Sequence, residues 1–191
     1  IAEMLGRSER VTRDYYAHKA FSESATNLTR FFQALHKAVT IKAEGYSAQV
    51  NIINDGARTH TGHCQARDTE KSALIKGVTE VAPEPRCGAP ATCFFCEHYA
   101  LHASVEDIKL ILACREWLQL QTKIISRNDR EHFVKFSPII DRIDDILESF
   151  RAQNEAYKTI HSKAHAAIEA GEYPSYWRNK LDAILNAQES L

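Results

Sequence analysis

The sequence lacks several features that identify large classes of proteins. It has no run of about eighteen apolar residues and no basic segment followed by an apolar one, so we predict neither a membrane-spanning helix nor a secretory signal. We therefore expect a cytoplasmic protein without a membrane partner. A glycine-rich phosphate loop and a His-Glu-x-x-His motif are also lacking, and no nucleophile–base pair stands out. These absences argue against an independent enzyme.

The composition is that of a folded protein with an uneven charge distribution. Its 191 residues are 44% hydrophobic, enough for one domain or two small ones. Residues 1–43 carry seven Lys and Arg against four Asp and Glu, whereas residues 44–103 and 104–191 are each negative by two. Only the first segment is basic, as contact with a phosphate backbone requires.

The N-terminal segment carries a spaced motif. Leu5-Gly6-Arg7 is followed by Thr12 and, nine residues after Arg7, by Tyr16. This pattern, over residues 3–18, resembles the last catalytic box of tyrosine recombinases of the phage-integrase type, in which Leu-Gly-His precedes the nucleophilic tyrosine by that spacing. The resemblance selects Tyr16 instead of Tyr15.

The resemblance implies that Tyr16 attacks a DNA phosphodiester to form a phosphotyrosyl intermediate. A phenol titrates near about 10, so such a nucleophile needs cationic neighbours. Arg7 stands where the family usually has His; it can bind a phosphate oxygen but cannot exchange protons near neutral pH. The family's other cationic residues precede this box, and the chain begins at Ile1. We therefore expect the C-terminal part of a mobile-element recombinase that is inactive alone and reaches DNA through the parent protein.

The cysteines are concentrated in one short region. Cys64, Cys87, Cys93 and Cys96 lie within 33 residues, and the last two form a Cys-x2-Cys knuckle. Four thiolates closing around one ion suit structural zinc, so we predict these four as zinc ligands. An iron–sulfur cluster also takes four cysteines, and unliganded thiols are the third possibility.

The histidines and phenylalanines near these cysteines, and the separate Cys114, are predicted to have roles other than metal binding. We expect His60, His63, His98 and His102 to be surface or second-shell residues, with His98 as the substitute ligand should Cys64 not bind. Phe94 and Phe95 are expected to pack the cysteine-rich region onto neighbouring helices, the alternative being stacking on nucleic-acid bases. Cys114 is predicted to be a buried, inert thiol within a helix.

Apolar residues at three- and four-residue spacing predict four long helices. They span 22–43, 104–126, about thirty residues from Ser137-Pro138 to Gly171, and a last segment around Trp177. Residues 48–53 predict a short strand, 54–56 a turn, and 67–77 a short helix.

These elements predict a mainly α fold, a helical bundle or long helical hairpin with a small zinc-stabilised lobe. The expected division is residues 1–43 as the end of the recombinase-like domain, 44–103 as the metal-binding lobe and 104–191 as a helical domain.

Two functions remain open at this point. The first is the C-terminal region of a tyrosine recombinase with a role in DNA binding or assembly. The second is a zinc-containing helical binding or regulatory protein without recombinase activity.

The thirty-residue helix is long for a small bundle, so its far end is expected to project and bind a protein partner or a second copy. Its acidic residues are predicted to form a solvated face, together with Arg142 and Glu148: Asp141, Asp144 and Asp145.

Overall fold

The structure, a computed structural model, describes residues 40–67, 70–125 and 130–189. The chain divides into two compact units, residues 1–39 and 40–191, and every described residue belongs to the second. The recombinase-like segment, with Arg7 and Tyr16, lies outside the described residues.

The second unit combines a small sheet with four helices. The strands are β1 (Asn51–Ile52), β2 (Ala57–Arg58), β3 (His63–Cys64) and β4 (Tyr99–Leu101), and a 3-10 helix spans Pro90–Phe95. The helices are α1 (Val105–Ile125), α2 (Arg130–Gln153), α3 (Glu155–Glu169) and α4 (Ser175–Glu189). About 53% of the described residues are helical, and a small four-stranded sheet accompanies them. The predicted helical content is therefore confirmed in part, but the class is mixed α/β instead of mainly α.

The sheet has the order β1-β4-β3-β2 and was mostly missed by sequence reasoning. β3 pairs antiparallel with both β2 and β4, and β1 pairs in parallel with β4. Only β1 was predicted, within 48–53, and the predicted turn after it contains Gly56 at a φ of +114°. Strands of two or three residues are too short to display the alternation that identifies a strand.

Two predicted helical segments are not helical where the structure describes them. The first predicted helix extended to Ala43, but Lys42 instead forms an antiparallel bridge with Val78. The predicted helix over 67–77 is also wrong, because its described residues form loops, a turn and a bridge from Leu74 to Cys96. In both cases backbone pairing with a distant segment replaces local helical bonds, which a local pattern does not reveal.

Helix α1 begins and runs as predicted. The hydroxyl of Ser104 accepts a hydrogen bond from the backbone N–H of Asp107 at 3.2 Å, a normal N-cap contact. Ile108, Ile111 and Leu118 of its apolar stripe are fully buried, as is Cys114. The prediction that Cys114 is a buried helical residue is confirmed.

The predicted helix from Ser137 to Gly171 is instead two helices, and its start was wrong. Helix α2 begins at Arg130, so Pro138 lies inside it. Asn154 is extended, and its side chain accepts from the N–H of Tyr157 at 2.9 Å to cap α3. The break escapes the apolar pattern because Phe150 and Tyr157, on either side of it, still stack at 4.5 Å.

The end of α3 and the last helix were predicted correctly. Gly171 has a φ of +81°, and the N–H of Glu172 donates to the carbonyl of Ala167 at 2.9 Å, as in a Schellman motif. Helix α4 then buries Trp177 and Leu181.

The helices and the cysteine-rich region share one hydrophobic core. Helix α1 packs against the other three helices, and α3 also packs against α2. Phe94 and Phe95 are fully buried in the same core, so their predicted packing role is confirmed and they do not offer exposed rings for base stacking. We call residues 40–104 the cysteine lobe. Among the described residues, no helix combines the length and apolar character needed to cross a membrane.

Candidate metal centre

The four cysteines predicted as ligands come from separate segments of the lobe and face one cavity. Cys64 ends β3, Cys87 lies in the loop before the 3-10 helix, Cys93 lies within that helix, and Cys96 follows it. All four line a cavity of about 420 Å³, and all four are free thiols. The fold therefore gathers cysteines from three segments, up to 32 residues apart, at one place.

The Cys-x2-Cys knuckle is shaped by a short turn of helix. Pro90 occupies its first turn, where its fixed φ and missing N–H are tolerated. The N–H of Cys96 donates to the carbonyl of Cys93 at 2.9 Å and closes the knuckle. Thr92 accepts from the N–H of Arg86 at 2.9 Å, which ties the loop carrying Cys87 to the same helix.

The surroundings of Cys93 oppose a negative charge on its thiolate. Burial raises the pKa of Cys93 to about 11, a hydrogen bond with Thr61 lowers it, and the neighbouring thiols raise it further: Cys96, Cys64 and Cys87. A bound cation reverses this balance, because a coordinated thiol loses its proton outright. Cys93 thus lies close enough to the other three cysteines to interact with them electrostatically.

Positive groups also lie around the cavity. Arg58 and Arg86 are among the lining residues, and the N–H of Ala66 donates to Cys64 Sγ at 3.4 Å. Four thiolates around a divalent cation carry a net charge of −2. Arg58 and Arg86 are exposed at the wall of the cavity, and the N–H of Ala66 is the contact that would stabilise one thiolate directly.

A buried histidine–aspartate pair supports β3 next to the cavity. His63 Nδ1 lies 2.9 Å from Asp107 Oδ2, and the backbone N–H of His102 donates to the same oxygen at 2.7 Å. The side chains of His63 and Asp107 are only 7% and 3% exposed. The pair fixes the start of α1 to β3, so His63 is buried and the predicted surface position is wrong for this residue.

The same three residues form a compact group with possible metal ligands. One ligand atom each from His63, His102 and Asp107 lies within 4.8 Å of the others, and the two imidazole rings stack at 3.5 Å. The hydrogen bonds to Asp107 already account for this grouping. We therefore interpret it as a structural lock behind the cysteine cavity.

Comparison with known proteins supplies no further assignment. No protein-family model, no curated protein and no solved structure matches this chain. The functional argument consequently depends on the residues themselves.

Arg142 is a key residue that sequence reasoning assigned wrongly. It was expected on a solvated acidic face, but only 2% of it is exposed. Its Nε donates to the carbonyl of Phe94 at 3.1 Å, and its Nη1 donates to the carbonyl of Ser47 at 2.6 Å and to the hydroxyl of Tyr46 at 3.0 Å. Arg142 thus ties α2 to the loop that carries the knuckle.

The acidic neighbours of Arg142 are engaged as well. Asp145 accepts from Lys42 at 2.8 Å and from Tyr46 at 2.7 Å, and Asp144 pairs with Arg115. The prediction of a solvated face is therefore wrong for Arg142 and Asp145, which contact the lobe, whereas Asp141 and Glu148 are exposed as predicted. A helix with alternating charges gave no signal of this, because the partners lie about a hundred residues away in the sequence.

Helix α4 closes the rim of the cavity. Trp177 Nε1 donates to the carbonyl of His60 at 2.6 Å, and the ring of His60 stacks on Tyr176 at 3.7 Å. Tyr176 and His60 both line the cavity. His98, the proposed substitute ligand, is mostly buried, and its Nε2 lies 3.2 Å from the carbonyl of Lys71.

Proposed function

We propose that residues 40–191 form a metal-bound module in which Cys64, Cys87, Cys93 and Cys96 hold one metal centre. The observation that carries this proposal is the convergence of four cysteines from three segments on one cavity. Zinc and an iron–sulfur cluster are two groups that such a donor set accepts. With all four positions filled by protein, the centre is structural in function, linking the strand that carries Cys64 to the knuckle.

We further propose that this module belongs to a tyrosine-recombinase-like protein and follows its nucleophile, Tyr16. The support is the spaced motif with Arg7, Thr12 and Tyr16. In this proposal the module serves DNA positioning or assembly, and the chain alone does not cleave DNA because it lacks the family's cationic set around the tyrosine. A phenolate and a phosphate oxyanion both require such cations.

The charge of the module favours assembly over broad DNA contact. Residues 40–191 contain 18 Lys and Arg against 21 Asp and Glu. A net charge of −3 repels a phosphate backbone. DNA contact is therefore assigned to the parent recombinase, and the module is assigned to protein contact, either with a partner or with a second copy.

A second candidate function is a metal-containing helical binding or regulatory protein that has no recombinase activity. The same acidic charge favours it. The reading frame upstream of Ile1 discriminates between the two. An arginine box and a His-x-x-Arg box in that frame support the recombinase proposal, and a frame that lacks both contradicts it.

The metal centre is tested separately by element analysis of the purified protein. We expect a metal that is retained through dialysis and is lost in Cys93→Ala. The matched control is Cys114→Ala, because Cys114 is a buried cysteine in α1 and is not among the residues that line the cavity. Metal-free folded protein, or equal metal loss in both variants, contradicts the proposal.

A further inference from the structure

The spacing of the four sulfurs discriminates between the two groups that four cysteines can hold. A tetrahedral zinc ion has Zn–S bonds of about 2.3 Å, which places every pair of sulfurs about 3.8 Å apart. In an iron–sulfur cluster the cysteines bind different iron atoms, so sulfurs on different irons are farther apart than the four ligands of a single ion. The distances between the sulfurs therefore indicate which of the two groups fits the site.

The observed sulfurs are spread beyond a zinc tetrahedron. Within the part of the chain that the structure describes, no three of Cys64, Cys87, Cys93 and Cys96 have all their sulfurs within 4.8 Å of one another. All four nevertheless line the same cavity. Placing a single zinc ion on them requires the segments to close inward, whereas a larger inorganic core bridges them with less movement.

The size of the cavity agrees with a group of several atoms. The cavity that the four cysteines share with eleven other lining residues measures about 420 Å³ and is open to solvent. On the scale of roughly 30 Å³ for each water molecule, that volume holds more than one ion. Its opening gives the core a route for entry during assembly.

The walls match the needs of a cluster with sulfur ligands. Pro85, Pro90 and Tyr99 supply apolar surface, which limits the access of water to the core. The N–H of Ala66 donates to Cys64 Sγ at 3.4 Å, the kind of hydrogen bond that tunes cluster sulfurs. Arg58 and Arg86 offset the net negative charge of the ligated core.

From these observations we propose that the cavity holds an iron–sulfur cluster bound by Cys64, Cys87, Cys93 and Cys96. This inference rests on the proposed four-cysteine metal centre and names the group in it. The Asp107–His63 pair is then a positioning element: the Nδ1 contact fixes a ring that lines the cavity beside the core.

The test is purification of the full chain without oxygen, followed by measurement of iron, acid-labile sulfide and zinc per chain. We expect about two or four irons with an equal amount of sulfide, a brown colour that bleaches on reduction, and an electron paramagnetic resonance signal in the reduced protein. Cys93→Ala and Cys96→Ala are expected to lose iron and colour together. Cys114→Ala is expected to keep both.

The alternative outcomes separate this inference from the proposal beneath it. One zinc per chain, without sulfide, that is lost in Cys93→Ala overturns the cluster and leaves the four-cysteine metal centre intact. Folded protein that retains neither iron nor zinc overturns both. Where Cys93→Ala fails to fold, Cys87→Ala gives the same readout from the exposed ligand of the set.

Discussion

The cysteine lobe and the four helices are held together by different kinds of contact. The helices bury apolar stripes against one another, with Ile108, Ile143 and Leu118 fully enclosed. The lobe has strands of two or three residues, and its loops are tied to the helices by single polar side chains such as Arg142 and Asp107. The lobe also buries Phe94, Phe95 and Leu101 in the shared core, but its regular secondary structure is short, so it depends in addition on these polar contacts and, in our proposal, on a metal.

This contrast predicts that a few substitutions unfold the lobe and leave much of the helical core folded. The largest effect is expected for Cys93→Ala. Loss of the metal is expected to lower the free energy of unfolding by at least about 4 kcal/mol, because binding of a structural metal is coupled to folding. Hydrogen exchange is expected to show deprotection of the Gln65 and Cys96 amides before those of α1.

The control for that experiment is Cys114→Ala, in the middle of α1. Its expected cost is about 1 kcal/mol, the price of a small cavity, with protection in the lobe unchanged. Equal loss of protection in the lobe and in α1 would show that the two regions unfold together. That result would contradict the claim that the lobe can unfold while the helices stay folded.

The next largest effect is expected at Arg142. Replacement by Met removes three hydrogen bonds to Phe94, Ser47 and Tyr46 and leaves buried acceptors without a donor. We expect a loss of about 3 kcal/mol in urea unfolding. Arg115→Met serves as the control, since that ion pair with Asp144 is half-exposed and is worth less than about 1 kcal/mol. Similar costs for the two substitutions would contradict the assignment of Arg142 as the attachment of the lobe.

Asp107→Asn tests the contact through which Asp107 of α1 holds His63 and His102 of the lobe. Both contacts converge on Oδ2, where an amide oxygen can still accept, but the substitution weakens them by removing the carboxylate charge and buries an amide NH2 in place of the other oxygen. An expected cost of about 2 kcal/mol is measurable by thermal unfolding. Glu106→Gln, one residue earlier in the same helix and exposed, is expected to change stability by less than about 0.5 kcal/mol. Equal effects at the two positions would show that the contacts of Asp107 with His63 and His102 do not stabilise the protein.

The smallest of these effects is expected for Trp177→Phe. It removes the hydrogen bond from Nε1 to the carbonyl of His60 and loosens the rim of the cavity. Compared with Trp117→Phe, which shortens its half-buried neighbour by the same volume, we expect about 1 kcal/mol more destabilisation. The more direct readout is the rate at which a chelator removes the metal. It should rise in the Trp177 variant and stay unchanged in the Trp117 variant.

The helices were predictable because their signals are local. The apolar spacing and the Ser104 cap identified α1, and Gly171 identified the end of α3. The break at Asn154 was missed because the apolar stripe continues across it, although an asparagine followed by Glu155 is a typical start of a helix. The start of α2 was misplaced because Pro138 lies inside the helix instead of at its first turn.

Of the candidate metal centre, only the four cysteines could be predicted from the sequence. The spacing of Cys93 and Cys96 pointed to a ligand pair, and the structure brings Cys64 and Cys87 to the same cavity. The supporting residues were not predictable, because Arg142 and Trp177 act on partners 48 and 117 positions away. An arginine among aspartates, or a tryptophan on an amphipathic helix, has the same local appearance whether it is solvated or attached to a distant loop.

The central claim is that Cys64, Cys87, Cys93 and Cys96 bind one metal centre together. X-ray absorption at the edge of the bound metal tests it most directly, because the spectrum reports the type and distance of the ligands. The account predicts a first shell made of sulfur alone, at about 2.3 Å. A first shell of nitrogen and oxygen, which would point to His63, His102 and Asp107 as the ligands, would contradict it.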